Sequence, residues 1–168
     1  MTALNAGADS LAALKCELAA EVLRSFGTLR FAGTGWSMLP SVWPSDTLVV
    51  ERAEAGKIRV GEIVLVGRGG RLCAHRVTGI VETTAGRKWI TQGDGMSIPD
   101  VPVEKTELLG RVTYLIRAGR LLPVPTKLSA VERMVAKVVR RSTPAARALV
   151  HFHHKYRASS EPIIPCPN

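Results

Sequence analysis

Five short runs rich in β-branched residues constrain the fold of this chain more than any other feature. They cover residues 47–50, 63–66, 71–81, 88–91 and 108–116, and glycine, proline, serine and aspartate separate them. Residues 67–70 and 85–86 have the composition of hairpin turns, and Gly119 predicts a further reversal towards residues 120–122. The sequence therefore predicts a mainly β protein of the α+β class. Its antiparallel strands, within residues 29–122, form a compact barrel or folded sheet.

Helical patterns flank the β region and divide the chain. Residues 1–28 form an N-terminal unit whose apolar positions recur at intervals of three and four, and these positions are Leu11, Leu14, Leu18, Val22 and Phe26. We expect a helix over residues 9–26, ended by Gly27 and docked on the β domain. Residues 123–157 form a basic helical tail, and residues 158–168 form a disordered end.

The tail begins with a capping box, Ser129 to Glu132. A second helix is expected to open at Thr143 and Pro144 and to run to Tyr156. His151, His153 and His154 lie within it, but their spacing does not place three ligands on one helix face. We therefore predict no metal and no other cofactor.

Charge is distributed unevenly along the chain, which carries a net +9. Residues 1–116 hold 13 basic and 12 acidic side chains, whereas residues 117–168 hold 10 and 2. A basic tail favours an anionic partner. Because no DNA-binding helix pair or aromatic stacking platform is visible, the interpretation prefers peripheral contact with an anionic membrane to nucleic acid.

The location predicted from the sequence is the cytoplasm, with at most peripheral contact at the inner membrane surface. No run of eighteen apolar residues is present, and the N-terminus has no signal-peptide pattern. The three cysteines, Cys16, Cys73 and Cys166, show no zinc-like spacing and are read as reduced thiols.

A serine, a histidine and two aspartates supply the parts of an activated hydroxyl nucleophile. Ser37 lies in a turn-like segment, Gly33 to Pro40, and His75 is the one histidine before residue 151. A neutral imidazole can accept the proton of a serine, and a carboxylate on its other nitrogen would orient it. From the residues alone, Asp94 and Asp100 are both candidates for that carboxylate.

The same motifs carry a family resemblance. They are Ser37-Met38-x-Pro40, Asp46 before a valine-rich strand, Gly61-Glu62-Ile63-Val64, His75-Arg76-Val77, and Gly93-Asp94 followed by Asp100. In order and spacing they resemble the type I signal peptidases, over roughly residues 29–117. The His-Arg-Val segment resembles the Ser/His branch of that superfamily, found in the endoplasmic reticulum, archaea and some Gram-positive bacteria.

The resemblance implies a serine endopeptidase with Ser37 as nucleophile, His75 as general base and Asp100 as the residue that orients it, while Asp94 braces the loop. It also implies a folded antiparallel β domain that binds its peptide or protein substrate as an added strand, with small residues before the cleaved bond. The residues around the nucleophile, Gly35, Trp36, Met38 and Pro40, are the predicted substrate contacts.

The segment before the nucleophile departs from the family pattern. Gly35 stands where a serine often assists the oxyanion hole, and Trp36 replaces a small residue. Ser45 replaces a glycine before Asp46, and Glu62 replaces an aspartate. These differences keep open a second hypothesis, a catalytically weak or inactive peptide-binding module of the same fold. A self-cleaving regulator is a weaker alternative, because only about thirty residues precede the domain.

Overall fold

The chain folds around one antiparallel sheet of seven strands. A computed structural model describes residues 3–142, with side chains from Ser10 onwards. The strands are β1 (Thr28–Ala32), β2 (Thr47–Glu51), β3 (Ile63–Arg68), β4 (Arg71–Thr83), β5 (Gly86–Gln92), β6 (Leu108–Arg117) and β7 (Arg120–Pro123). Helix α1 (Ala3–Phe26) precedes the sheet, a 3₁₀ turn (Ala55–Lys57) follows β2, and helix α2 (Ala130–Arg141) is the last element of the described residues. The mainly β, α+β prediction is confirmed.

The strand order is β1-β2-β6-β3-β4-β5, and β7 pairs with β6. All five predicted runs are strands, and all three predicted turns are present. Gly69 and Gly70 close the β3–β4 hairpin with φ values of 55° and 73°. Two successive left-handed residues give the two-residue turn whose twist matches that of the paired strands.

Two main apolar clusters fill most of the interior. The larger joins Leu23 of α1 and Met38 to residues of β2, β3 and β6, and the smaller gathers around Trp89 and Val64. Leu29 and Phe31 of β1 pack on the larger cluster, as do Leu72 and Ala74 of β4. The segments that lead to Ser37 and to His75 therefore share one core.

Helix α1 docks through a different face from the predicted one. Leu11, Leu14, Leu18 and Phe26 are all more than half exposed, while Ala19 and Leu23 are buried. The reason is close backbone approach: a Cβ added to Gly70 would lie 3.0 Å from the backbone nitrogen of Ala13. The helix backbone can approach Gly70 this closely only where the helix side chains are small. The alanine-rich face therefore packs against the sheet, and the leucine stripe is left on the surface.

Helix α2 begins with the predicted capping box, since the Ser129 hydroxyl accepts from the Glu132 amide and the Glu132 carboxylate accepts from the Ser129 amide. Its inner face buries Ala136 and Val139. Its outer face exposes Val131, Met134 and Val138 next to basic side chains.

Several predictions for the tail lie outside the described residues. These are the helix from Thr143 to Tyr156, the three histidines at 151–154 and the disordered end at 158–168. Contact of the tail with an anionic membrane stays a prediction. Within residues 3–142, no helix has both the length and the apolar character needed to cross a bilayer.

The docking face of α1 can be tested with two leucines of the same helix. Leu23→Ala removes a side chain that is 2% exposed and should lower the free energy of unfolding by about 2–4 kcal/mol. Leu18→Ala, at a position 61% exposed, should change it by less than about 0.5 kcal/mol. Urea unfolding measures both, and equal losses would contradict the docking.

Candidate active site

Ser37 lies on a tight turn that the core holds from below. After β1, the Gly33 amide donates to the Asp46 carbonyl, and the Leu39 amide closes the turn on the Trp36 carbonyl at 3.1 Å. Met38 and Leu39 are 4% and 0% exposed, and the Leu39–Pro40 peptide bond is cis. The buried side chains after Ser37 fix the turn, whereas Ser37 itself remains half-buried with its hydroxyl directed to His75.

The structure brings Ser37, His75 and Asp100 into one hydrogen-bonded row. His75 Nε2 lies 3.0 Å from Ser37 Oγ, and His75 Nδ1 lies 2.6 Å from Asp100 Oδ2. Because an ionised carboxylate only accepts, Nδ1 carries the hydrogen. In the neutral ring, Nε2 is then free to accept the serine proton, as nucleophile activation requires.

Asp100 is held in place by β5. The Asp100 amide donates to the Thr91 carbonyl at 2.8 Å, and the buried Thr91 hydroxyl donates to Asp100 Oδ2 at 2.8 Å. The oxygen that meets His75 is therefore fixed by a second partner. This geometry agrees with the assignment of Asp100, and not Asp94, as the orienting carboxylate.

The surroundings of His75 favour its charged form. Burial acts to lower the pKa of His75, but the hydrogen bond with Asp100, its negative charge and the proximity of Cys73 outweigh burial and raise the pKa to about 9. Burial acts to raise the pKa of Asp100, yet hydrogen bonds from His75 and Thr91 bring it below its ordinary value. At neutral pH the pair is therefore mainly imidazolium and carboxylate.

Asp94 belongs to a buried ion-pair network beside the row. Its two oxygens accept from Arg76 Nε and Nη2, each at 2.8 Å, and Oδ2 also accepts from the Ser41 hydroxyl. Arg76 Nη1 donates to the carbonyls of Gly61 and Pro125, both at 2.7 Å. The Arg76 and Asp94 side chains are 9% and 4% exposed, so Asp94 braces the loop from inside.

The loop that carries Asp94 lies directly on the backbone of Ser37. The Gly95 amide donates to the Ser37 carbonyl at 2.8 Å, and a Cβ added to Gly93 would lie 2.5 Å from that same oxygen. A side chain at residue 93 cannot be accommodated without moving the turn that carries Ser37. The two glycines are thus part of the site by close approach and not by chemistry.

The four predicted substrate contacts separate into two pairs. Gly35 and Trp36 are exposed beside Ser37, with Trp36 38% exposed. Met38 and Pro40 are buried, and Met38 belongs to the larger core cluster. Met38 and Pro40 pack beneath the turn, whereas Gly35 and Trp36 lie open to an incoming peptide. The substrate-contact role of all four residues stays a prediction.

Sequence reasoning did not identify three residues that complete the site. Thr91 positions Asp100, Ser41 bonds Asp94, and Cys73 lies on the same face of β4 as His75, where it contributes to the raised pKa of the imidazole. Serine and threonine are ordinary in turns and strands, so neither residue carries a signal of its own. Cys73 lies two positions before His75, and that spacing on one strand was the available signal.

Two other motif residues have structural partners. Asp46 is fully buried and accepts from Arg117 Nε and Nη2 and from the Trp43 amide. Glu62 pairs with Arg111 at 3.1 Å. Ser45 has a φ of 77°, in the region that favours glycine.

Among residues 3–142, the sheet leaves strand edges without a partner on both sides of the row. β4 pairs with β3 through residues 71–76, but its pairing with β5 begins only at Arg76. β1 pairs only with β2 among the described strands. Because pairing alternates from the closing pair of the hairpin, the main-chain groups of Leu72 and Ala74 point away from β3 to the free edge.

No protein-family model matches the chain, and a comparison with curated proteins found no match either. The assignment therefore depends on the geometry. Among residues 3–142, no cluster of three or more His, Cys, Asp or Glu side chains is arranged to hold a metal ion.

The two aspartates should differ in what they do for stability. Asp94→Asn leaves the Arg76 guanidinium buried without its counter-charge and should lower the free energy of unfolding by roughly 3 kcal/mol. Asp100→Asn affects a side chain that is 35% exposed and should cost about 1 kcal/mol. Urea unfolding at neutral pH measures the difference, and the reverse order would contradict the assignment.

His75 should titrate far above an ordinary histidine. NMR of the imidazole should give a pKa of about 9, and Asp100→Asn should lower it because a hydrogen bond and a negative charge are lost. The folded pKa exceeds the unfolded value of roughly 6.5. The contribution of the His75–Asp100 pair to the free energy of unfolding is therefore complete below the unfolded pKa, and it is lost as pH rises through about 9. A wild-type midpoint at the unfolded value would contradict the geometry.

Proposed function

We propose that this protein is a serine endopeptidase of the signal-peptidase type. The single observation that carries the proposal is the row Ser37 Oγ, His75 Nε2, His75 Nδ1 and Asp100 Oδ2, with contacts of 3.0 and 2.6 Å. A seryl hydroxyl within hydrogen-bond reach of an imidazole that a carboxylate orients is the arrangement of an activated nucleophile.

In the proposed reaction, Ser37 Oγ attacks the carbonyl carbon of the peptide while His75 Nε2 takes its proton. Collapse of the tetrahedral intermediate breaks the C–N bond, and His75 returns the proton to the leaving amine. Water then attacks the acyl ester, again with His75 as base, and releases the acid and free Ser37. Asp100 holds Nδ1–H throughout and stabilises the imidazolium.

The oxyanion of the intermediate needs hydrogen-bond donors. The Ser37 amide makes no hydrogen bond within residues 3–142, so it is available for this role. Gly35 offers no side-chain donor, and a Cβ at that position would meet nothing within 4 Å. One missing donor costs about 10²-fold in rate, so we expect a slow enzyme.

The free strand edges favour an extended peptide as substrate. Leu72 and Ala74 present main-chain groups that no strand within residues 3–142 pairs, between the β3–β4 turn and His75, and β1 leads to Ser37 from the other side. A peptide added as a strand there would gain backbone hydrogen bonds and would place a carbonyl next to the nucleophile. We propose that Gly35 and Trp36 contact it.

A peptide-binding module without turnover is the second candidate function. The observation that favours it is the open space around Gly35, a residue that offers the oxyanion no side-chain donor. Without a side-chain donor there, the intermediate would be poorly stabilised. Such a module would bind extended peptides at the β4 edge and would not form an acyl-enzyme.

The test is covalent labelling together with peptide cleavage. Ser37→Ala and His75→Ala should each reduce cleavage by roughly 10⁴-fold or more, and Ser37→Ala should abolish labelling by a fluorophosphonate probe. Ser25→Ala is the matched control, because Ser25 is an exposed serine whose hydroxyl, among the described residues, bonds Glu21 and not the site. Mass spectrometry locates the labelled residue. Peptide binding without labelling of wild-type Ser37 would leave the binding module as the function.

The pH dependence of cleavage provides an independent check on the base. Because the protonated ring cannot accept a proton, kcat/KM should rise about tenfold per pH unit below the midpoint. It should level off above pH about 9, the pKa of His75. A profile that is flat from pH 6 to 8 would exclude His75 as the base.

A further inference from the structure

Helix α2 lies against the same two loops that form the site. Val139 and Leu39, which are 3% and 0% exposed, form a small core cluster of their own. Leu39 is two residues after the nucleophile. The end of α2 therefore packs on the turn that presents Ser37.

The same helix end also holds the Asp94 loop by polar contacts. Arg140 Nε donates to the Asp94 carbonyl at 2.9 Å, and the Ser97 hydroxyl donates to the Arg140 carbonyl at 3.0 Å. A Cβ added to Gly95 would lie 3.0 Å from Val139 Cγ1. The loop is thus enclosed between α2 on one side and the Ser37 backbone on the other.

We infer that α2 is a positioning element for the nucleophile, with Arg140 as its main contact. This inference rests on the proposed function for its kinetic consequence only. Arg140 fixes the Asp94 carbonyl, and the same planar peptide unit carries the Gly95 amide that bonds the Ser37 carbonyl at 2.8 Å. Through that amide, the helix restricts the position of Ser37 relative to His75 Nε2.

Arg140 acts at a distance from the peptide edge. Its bond is to the backbone of Asp94, whereas the proposed peptide edge is formed by residues 71–75 of β4. The loss of Arg140 should therefore lower kcat and leave KM within about twofold. Because small misplacements of reacting atoms are costly, kcat should fall about tenfold.

The experiment compares Arg140→Ala with Arg141→Ala. Both changes remove one cation from the last turn of α2, but only Arg140 bonds the Asp94 loop among the contacts described for residues 3–142. The first measurement does not need activity: amide hydrogen exchange of Gly95 should be at least about tenfold faster in Arg140→Ala and unchanged in Arg141→Ala.

The second measurement is the rate of Ser37 labelling by the fluorophosphonate probe, with kcat and KM for peptide cleavage. Both kcat and the labelling rate should fall in Arg140→Ala, and Arg140→Lys, which retains a donor, should recover part of the loss. Equal exchange rates in the two alanine variants would overturn the role of α2. If wild-type Ser37 does not label, the proposed function fails, while the exchange result still decides the inference.

Discussion

The rest of the site depends on the buried hydrogen bonds of the Arg76 guanidinium. From one position in β4 it reaches both oxygens of Asp94, the Ser41 hydroxyl and the carbonyls of Gly61 and Pro125. A buried cation of this kind is tolerated only when each donor has a partner, so these five oxygen atoms must converge on the guanidinium. Their convergence sets the distance between β4 and the loop that touches Ser37.

The two aspartates have different environments, and these environments suit Asp94 to a structural role and Asp100 to orienting His75. Asp94 is buried and paired with the Arg76 guanidinium, which is always charged, so the carboxylate of Asp94 serves to hold the loop. Asp100 is partly exposed and faces a histidine whose charge changes with pH. Because the charge of His75 changes with pH, the ion pair alone does not fix the Asp100 carboxylate. The hydroxyl of Thr91 donates a second hydrogen bond that keeps this carboxylate from rotating away.

The strands, their turns and the Ser37–His75 pair could be predicted from sequence because each has a local signal, either β-branched runs between glycines or chemically distinctive side chains. The residues alone left Asp94 and Asp100 both open as the third member, and the choice of Asp100 came from the family resemblance. The docking face of α1 could not be predicted, since it depends on backbone approach to Gly70, which favours Ala19 over the more apolar Leu18. For the same reason the backbone contact of Gly93 with Ser37 was not foreseen: sequence indicates that a glycine turns, but not what it touches.

Gly93 and Gly95 hold the turn that carries Ser37 in place because both lie in close contact with its backbone. The Ser37 carbonyl is bonded by one glycine amide and lies where a side chain on the other would have to be. Backbone packed against backbone leaves little room for the serine to shift, provided the loop itself is held. Arg76 holds it from the sheet and Arg140 from α2, so removing either contact frees the loop on one side only. Precise placement of a serine thus depends on two arginines that never touch it.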